Sequence, residues 1–289
     1  MASLFKEGLK SGAFQIVARL VPPRSANLAG VSALAASWKG KVNSILVADN
    51  PSAIMGVASL VSAERLVRDG HDVIMTLSCR DRNRMALGST ALGAAALNIE
   101  SILCVSGDHF NFGDHPESKP VYDLDSVQLI GMLRDMQDGS GSTANGPTEP
   151  FSFFLGAVAR ATADHSMPHL MKARKKISDG ARFLITLPIF TMSELEPVLS
   201  GLSDSPVKIL AGVLLPSYEQ IRSYQDGSIP GTLIPEELVR SWKDAGEEAF
   251  ISSSAAHVKK LVSELKTSGR VAGVCVSATG RESEIEGLI

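Results

Sequence analysis

Short apolar runs alternate with helix-like segments along almost the whole chain. Eight runs, each of about five to ten residues and bounded by polar, glycine or proline positions, are typical of buried parallel strands. The runs are Phe14–Pro23, Val42–Ala48, Asp72–Ser78, Ser101–Ser106, Phe151–Val158, Phe183–Leu187, Lys208–Leu214 and Val271–Ser277. The segments with helical periodicity are Ala53–Arg68, Arg84–Leu97, Leu124–Met136, Pro168–Ile177, Ser193–Leu199, Pro235–Trp242 and Glu247–Leu265.

Strands and helices in alternation predict an α/β fold, a single (β/α)8 TIM barrel over residues 1–289. The alternative is an open doubly wound sheet, but the first run ends in Pro22-Pro23, where such sheets carry a GxGxxG turn. A polar, Gly- and Ser-rich stretch at residues 137–150 is interpreted as a flexible excursion within this domain. Functional residues of a barrel lie at the carboxyl ends of its strands, so the positions after each apolar run are the candidates.

Composition narrows the class of protein. The 289 residues are 44% hydrophobic but only 5% aromatic, so small aliphatic side chains must form the core. The formal net charge of −3 provides no electrostatic footprint for nucleic acid. Three scattered cysteines do not form a disulfide framework, and no apolar run reaches the length of a membrane span. A reduced, cytoplasmic setting without membrane contact is therefore expected.

The densest cluster of polar residues is Ser78–Arg84, with the sequence SCRDRNR, at the exit of the third predicted strand. Its three arginines beside a helix start could bind the phosphates of a cofactor; alternatively, Asp81 caps a solvated helix. The fourth strand is followed by Gly107-Asp108 and by a second GDH triplet at Gly113–His115. These histidines and aspartates lack a strict ligand spacing, so no metal site is expected.

The segment MTLSCRDRNRMALGSTALGAAALNIESILCVSGDH closely resembles the centre of 5,10-methylenetetrahydrofolate reductases. The next stretch, FGDHPESKPVYDLDSVQL, is similar to the short, single-domain, acetogen-like branch of that family. Shorter matches extend the resemblance toward both ends of the chain: VPPRS, ADN, DGARFLITLPIF and IPGTLIPEEL. The resemblance implies a flavoprotein of one-carbon metabolism, an oxidoreductase that passes hydride between NAD(P)H, a flavin and a folate-type carrier in a ping-pong sequence.

The resemblance also assigns residues to the flavin, which is expected to be FAD rather than FMN. The residues placed along it are Asp49, Asn50, Thr76, Ser78, Cys79, Arg80, Asp81, Gly107, Asp108, Gly156, Ala157 and Lys176. The residues placed beside its adenosine half are Tyr122, Asp123 and Asp125. Asp108 is also implied to contact the pterin and to take part in catalysis.

The substrate side departs from the family pattern. The presumed proton donor of the family is a glutamate in an E-x-x-P-P motif, and Arg19 occupies its position in R-L-V-P-P. A pterin-contacting glutamine is replaced by Leu187, and an early threonine by Ala48. An arginine does not release a proton at neutral pH, so Arg19 cannot serve as the general acid. We expect Arg19 to point into the barrel and to contact the substrate together with Asp108 and Leu187.

Four functions are compatible with the sequence. The first is a flavin-dependent reductase with a displaced acid, for which Asp108, His109 or a water held by Arg19 is a candidate. The second is a flavoprotein of the same fold that acts on a different, anionic substrate bound by Arg19. The third is a flavin subunit with little folate activity of its own that depends on a partner redox subunit. The fourth is a relative that shares only the fold and holds no flavin. A homo-oligomer is compatible with each of them.

Overall fold

The computed structural model of the protein describes residues 3–139, 151–161, 167–225, 228–229 and 231–289. Eight parallel strands close into a barrel in chain order, with the last strand hydrogen-bonded to the first. The strands are β1 (Gln15–Leu20), β2 (Ser44–Val47), β3 (Val73–Ser78), β4 (Ser101–Val105), β5 (Phe154–Ala159), β6 (Phe183–Ile189), β7 (Lys208–Leu215) and β8 (Gly273–Ala278). The predicted (β/α)8 barrel is confirmed, whereas positions 140–150 of the predicted excursion lie outside the described residues.

Ten α-helices accompany the strands within the described ranges. They are α1 (Leu4–Ser11), α2 (Ala29–Ser37), α3 (Ser59–Arg68), α4 (Arg84–Ala96), α5 (Ser126–Gln137), α6 (Met167–Ser178), α7 (Glu196–Gly201), α8 (Tyr218–Arg222), α9 (Glu236–Asp244) and α10 (Glu247–Ser268). The pattern did not predict α1, α2 or α8. The segment AGVSALAAS of α2 has no continuous polar face, and α8 has only five residues, so neither shows a clear helical period. No helix in the described part of the chain is both long and apolar enough to span a bilayer.

The loop after β2 decides where the next helix begins. The pattern predicts a helix from Ala53, but α3 starts at Ser59 because the intervening chain crosses the end of β1. The amide of Val57 donates to the Pro23 carbonyl at 2.9 Å. A Cβ at Gly56 would lie 2.7 Å from the Pro22 carbonyl oxygen, so only glycine permits this approach. This loop thereby forms one wall above the barrel.

Alternate residues of each strand pack into two separate layers. Outward-facing side chains such as Ala18 and Met75 join the large core between the strands and the helices. Inward-facing side chains such as Val17 and Ile74 fill the lower barrel. Below them, Phe5 of α1 belongs to the same inner cluster. Because α1 closes the bottom of the barrel, access to the interior is from the carboxyl end.

Three phenylalanines form the floor of the barrel. The rings of Phe154 and Phe183 stack with centroids 5.3 Å apart. Phe5 contacts both rings edge-on, at 6.0 and 5.0 Å respectively. The next inward position on β5 after Phe154 is Gly156. A side chain at Gly156 would overlap the Phe183 ring, so this position requires glycine.

Gly156→Ala is expected to lower the free energy of unfolding by about 2–3 kcal/mol, because the added methyl overpacks the aromatic floor. Its Cβ would lie 2.1 Å from the Phe183 ring, which the stack holds in place. Equilibrium urea unfolding measures the change. Gly93→Ala in α4, where the new Cβ would lie 3.5 Å from Leu60, is the matched control and should be neutral or stabilising. Equal stability of the two variants would contradict this account of the floor.

Candidate active site

A cavity of about 920 Å³ opens at the carboxyl ends of the strands. Its floor is apolar and includes Leu46, Leu103 and Ile185, whereas polar side chains line its walls. A mostly apolar cleft of this size with a few convergent polar groups is typical of a ligand site. The predicted site residues that line it are Arg19, Asp49, Asn50, Thr76, Gly107, Asp108, Lys176 and Leu187.

The other predicted site residues do not line the cavity in the described part of the chain. They are Ser78, Cys79, Arg80, Asp81, Tyr122, Asp123, Asp125, Gly156 and Ala157. Cys79 and Ala157 face the layer between barrel and helices. Burial raises the pKa of the Cys79 thiol to about 12, so this group is an inert core side chain at neutral pH. Asp125 caps α5 by accepting from the amides of Val127 and Gln128. Each of these three positions therefore has a structural contact that accounts for its residue.

The three arginines of the Ser78–Arg84 segment are all paired with carboxylates of the chain itself. The pairs are Arg80–Asp81 at 2.7 Å, Arg82–Asp49 at 2.7 Å and Arg84–Asp123 at 3.2 Å. None of these guanidinium groups presents a free fork to a phosphate. The sequence cluster suggests an anion site. Two of the aspartate partners, Asp49 and Asp123, come from other strand exits and are visible only in the fold.

Asp49 is a buried anchor of the cavity wall. Its carboxylate accepts from the Ser78 amide at 3.0 Å and from Arg82 at 2.7 Å. Burial disfavours the charged guanidinium, but the hydrogen bonds to Asp49 outweigh it and raise the pKa of Arg82 above its ordinary value. The pair joins the ends of β2 and β3, which leaves little acceptor capacity on Asp49 for a ligand.

Arg19 points into the cavity, as the strand alternation predicts. It shares the inner face of β1 with Val17, which packs in the barrel interior, and its guanidinium lies near Cys275. Within the described ranges, no carboxylate forms an ion pair with it. A half-buried cation above an apolar floor is costly without a partner, so this position favours an anionic ligand or a held water.

Leu187 lies in the cavity wall at an irregularity in β6. The pairing of β6 with β7 shifts register between Ile185 and Pro188. The Thr186 hydroxyl accepts from the Gly212 amide at 2.8 Å, which replaces the missing ladder contact. Leu187 therefore adds apolar surface to the cavity and provides no hydrogen bond to a ligand.

A group of basic side chains lines the side of the cavity formed by β5 and α6. It comprises Arg160, His169, Lys172 and Lys176. The Lys176 ammonium is buried and donates to the Val158 carbonyl at 2.7 Å. Burial lowers its pKa to about 8, an effect that Lys172 increases and Asp125 opposes. An ammonium has three donors, so Lys176 retains capacity for an anion in the cavity.

Sequence reasoning identified Lys176 but missed His169 and Lys172 as cavity residues. Their spacing of three and four positions along α6 places all three on one helix face, which is the signal that could have found them. It also missed Glu282, whose carboxylate accepts from the Gly280 amide at 3.2 Å after β8. The turn at Gly280 brings Glu282 back to the cavity from beyond the strand exit.

The polar and apolar side chains of the cavity fit a ligand with a flat heterocyclic ring and attached anionic groups. Asp108 accepts from the Ser52 amide at 2.8 Å and retains acceptor capacity for a ring N–H. The apolar floor suits an aromatic ring system, and Lys176 with its neighbours suits phosphate or carboxylate groups. A flavin and a pterin both have these properties. No group of three His, Cys, Asp or Glu side chains within the described ranges is arranged to hold a metal ion.

Comparison with known proteins gives one family match for the sequence and several similar solved structures. The family model described as methylenetetrahydrofolate reductase matches residues 5–288. A Clostridium thermocellum protein that binds two copies of 5-methyl-5,6,7,8-tetrahydrofolic acid has a TM-score of 0.69 at 14% identity, covering 99% of this chain and 96% of that one. Tryptophan synthase from M. tuberculosis has a TM-score of 0.52 at 9% identity, covering 99% of this chain and 95% of that one.

At these identities the two structural similarities concern the fold alone. A search of curated proteins found no match to the sequence. The family model, in contrast, spans all eight strands and the loops that form the cavity. The chain therefore belongs to the methylenetetrahydrofolate reductase family.

Proposed function

We propose that the chain is a flavin-dependent oxidoreductase that exchanges hydride between NAD(P)H, FAD and a folate-type one-carbon carrier. The observation that carries this proposal is the cavity itself, in which the acceptor Asp108 and the cation Lys176 flank an apolar floor. The match to the family model over residues 5–288 supports the reaction class. The fold neighbour that binds a methylated reduced folate supports the ligand class.

The bound flavin would supply reversible storage of a hydride. Asn50, Thr76 and Asp108 would lie beside its ring, and Lys176 would neutralise its phosphates. The chain's own contribution is to orient both ligands, to exclude water with the apolar floor, and to provide a proton.

The proton donor is the part of the site that differs from the family. His109 accepts from the Asn111 amide at 3.2 Å and does not line the cavity in the described structure. Asp108 and a water held by Arg19 are therefore the candidates. We propose that Asp108 donates the proton in place of the family's glutamate.

Arg19 also favours a second function. A cation without a carboxylate partner in the cavity would bind a substrate that carries a carboxylate or phosphate near its reacting carbon. On this proposal the chain is a flavoprotein with little folate activity, acting alone on an anionic substrate or with a partner redox subunit. A cytoplasmic location and a homo-oligomer are proposals that both functions share.

Absorbance of the purified protein after incubation with FAD tests the proposal. We expect flavin bands to remain after gel filtration, to bleach under anaerobic NADH, and to return when methylenetetrahydrofolate is added. FMN and NADPH in parallel samples settle the cofactor identities. A protein that retains no flavin contradicts both functions. Bleaching without reoxidation by the folate contradicts the first function and favours the second.

A further inference from the structure

Strained backbone is concentrated beside Asp108. Among the described residues, five other than glycine have positive φ: Asn50 (44°), Ser52 (54°), Ala53 (58°), Asn98 (59°) and Tyr122 (40°). All but Asn98 lie in the loops that follow β2 and β4 at the cavity mouth. Such conformations persist only where surrounding contacts over-determine them, and they cluster at functional sites.

The contacts that hold these loops converge on Arg80, whose side chain is only 1% exposed. Its guanidinium donates to the main-chain carbonyl of Asn50 at 3.2 Å and to that of Asp108 at 3.0 Å. Two further bonds, both to the Asp81 carboxylate, measure 2.7 and 2.8 Å. The guanidinium carbon lies 5.1 Å from the centre of the Phe110 ring. One side chain thus joins the exits of β2, β3 and β4.

The same network extends to the strained residues. Asn50 donates from its side chain to Asp81 at 3.3 Å and accepts from the Gly56 amide at 3.1 Å. The Arg80 carbonyl accepts from the Val121 amide at 2.8 Å, directly before Tyr122. Burial alone would raise the pKa of Asp81, but hydrogen bonds from Arg80 and Asn50 lower it, so the anchor stays ionised at neutral pH.

Asp108 is the residue that this network orients. Arg80 fixes its carbonyl, and the Ser52 amide, in the strained turn that Arg80 also holds, donates to its carboxylate at 2.8 Å. Arg80 therefore holds the main chain of Asp108 directly, and its carboxylate through the turn that includes Asn50 and Ser52. A lysine could not replace it, because a point charge lacks the planar fork that reaches two carbonyls and a carboxylate together.

We propose that Arg80 is a positioning residue that joins the three loops and holds the Asp108 carboxylate toward the cavity before any ligand binds. The role of Asp108 in catalysis rests on the proposed function, whereas the positioning is a property of the protein alone. On this proposal Arg80 acts through the main chain of the loops, rather than on the cofactor to which the resemblance assigns it.

Hydrogen exchange in the ligand-free protein tests the positioning. In Arg80→Lys we expect the amides of Ser52 and Val121 to exchange at least about tenfold faster, while the unfolding midpoint stays near that of the wild type. The double variant Arg80→Met with Asp81→Asn leaves no buried unpaired charge and should show the same faster exchange. It replaces Arg80→Lys in the test if that variant folds poorly. Arg270→Lys is the matched control, because Arg270 also pairs bidentately with a carboxylate, Glu196, but at an exposed site. Unchanged exchange at Ser52 and Val121 would overturn the proposal.

A rate measurement separates positioning from a general loss of stability. Arg80→Lys should lower the rate of flavin reoxidation by methylenetetrahydrofolate about tenfold or more, and this loss should disappear in the Asp108→Asn background. A loss that is fully additive with Asp108→Asn would show that Arg80 acts elsewhere. If the wild type binds neither FAD nor folate, the proposed function fails, and the exchange result still decides the positioning.

Discussion

Arg19→Glu is expected to raise the rate of flavin reoxidation by methylenetetrahydrofolate by about 10²-fold or more. Arg19 lines the cavity, and no carboxylate in the described structure forms an ion pair with it. The resemblance to the family implies that its position is that of the presumed acid. The substitution provides a group that can donate a proton in the transition state, a contribution typically worth roughly 10²–10⁴ in rate. It also removes a cation that would oppose the positive charge of an opened iminium ring. Anaerobic stopped-flow absorbance of the reduced flavin measures the rate.

Arg19→Gln separates these two effects, because it removes the charge without providing an acid. We expect it to recover only a small part of the gain. Equal rates in the two variants would show that charge removal, rather than proton donation, limits the reaction. No gain in either variant would place the acid elsewhere, and a fall in both would favour an anionic substrate held by Arg19.

Lys176→Met is expected to change stability and ligand binding in opposite directions. A pKa lowered from 10.5 to about 8 corresponds to about 3 kcal/mol of lost folding free energy at pH 7. The lost hydrogen bond to the Val158 carbonyl offsets about 1 kcal/mol of the gain. The variant should therefore unfold with about 2 kcal/mol more free energy than the wild type. Its affinity for FAD should fall about 10²-fold, because the variant loses the buried cation that is proposed to contact the phosphates.

The pH dependence follows from the direction of the Lys176 shift. The folded chain holds fewer protons than the unfolded chain between pH 8 and 10.5, so wild-type stability rises relative to Lys176→Met across this window. Affinity for FAD should fall as pH rises through about 8, where the ammonium loses its proton. Urea unfolding and fluorescence titration between pH 7 and about 10 measure both quantities. Lys175→Met, at an exposed neighbouring position, controls for net charge. If the difference in unfolding free energy between the wild type and Lys176→Met does not vary with pH, the lowered pKa of Lys176 is contradicted.

Much of the fold was predictable because it depends on local pattern. Eight apolar runs of strand length can bury both faces only if helices cover them, which favours a closed barrel. The orientation of Arg19 was placed correctly because side chains alternate strictly along a strand. A slip of one residue would turn both Arg19 and Val17 from the barrel interior toward the helices. Helix α2 escaped prediction because its alanine-rich sequence has no polar face to set a period.

The site was predictable in position but not in function. Asp108 and Lys176 were expected near a ligand, and both line the cavity. Arg80 was expected there too, yet its guanidinium lies behind the wall and holds the main chain. The residue type is equally suited to both tasks, since a fork that binds phosphate also binds carbonyl groups.

The sequence by itself determined the barrel, the family and the identity of the side chains at each strand exit. The tertiary structure decided which of those side chains are available to a ligand. Asp81, the partner of Arg80, lies next to it in the sequence, whereas Asp49 and Asp123 reach Arg82 and Arg84 from other loops. Whether a cation binds a ligand or a neighbour depends on distances of a few ångströms across the barrel mouth, because the strength of an ion pair is set by separation and burial.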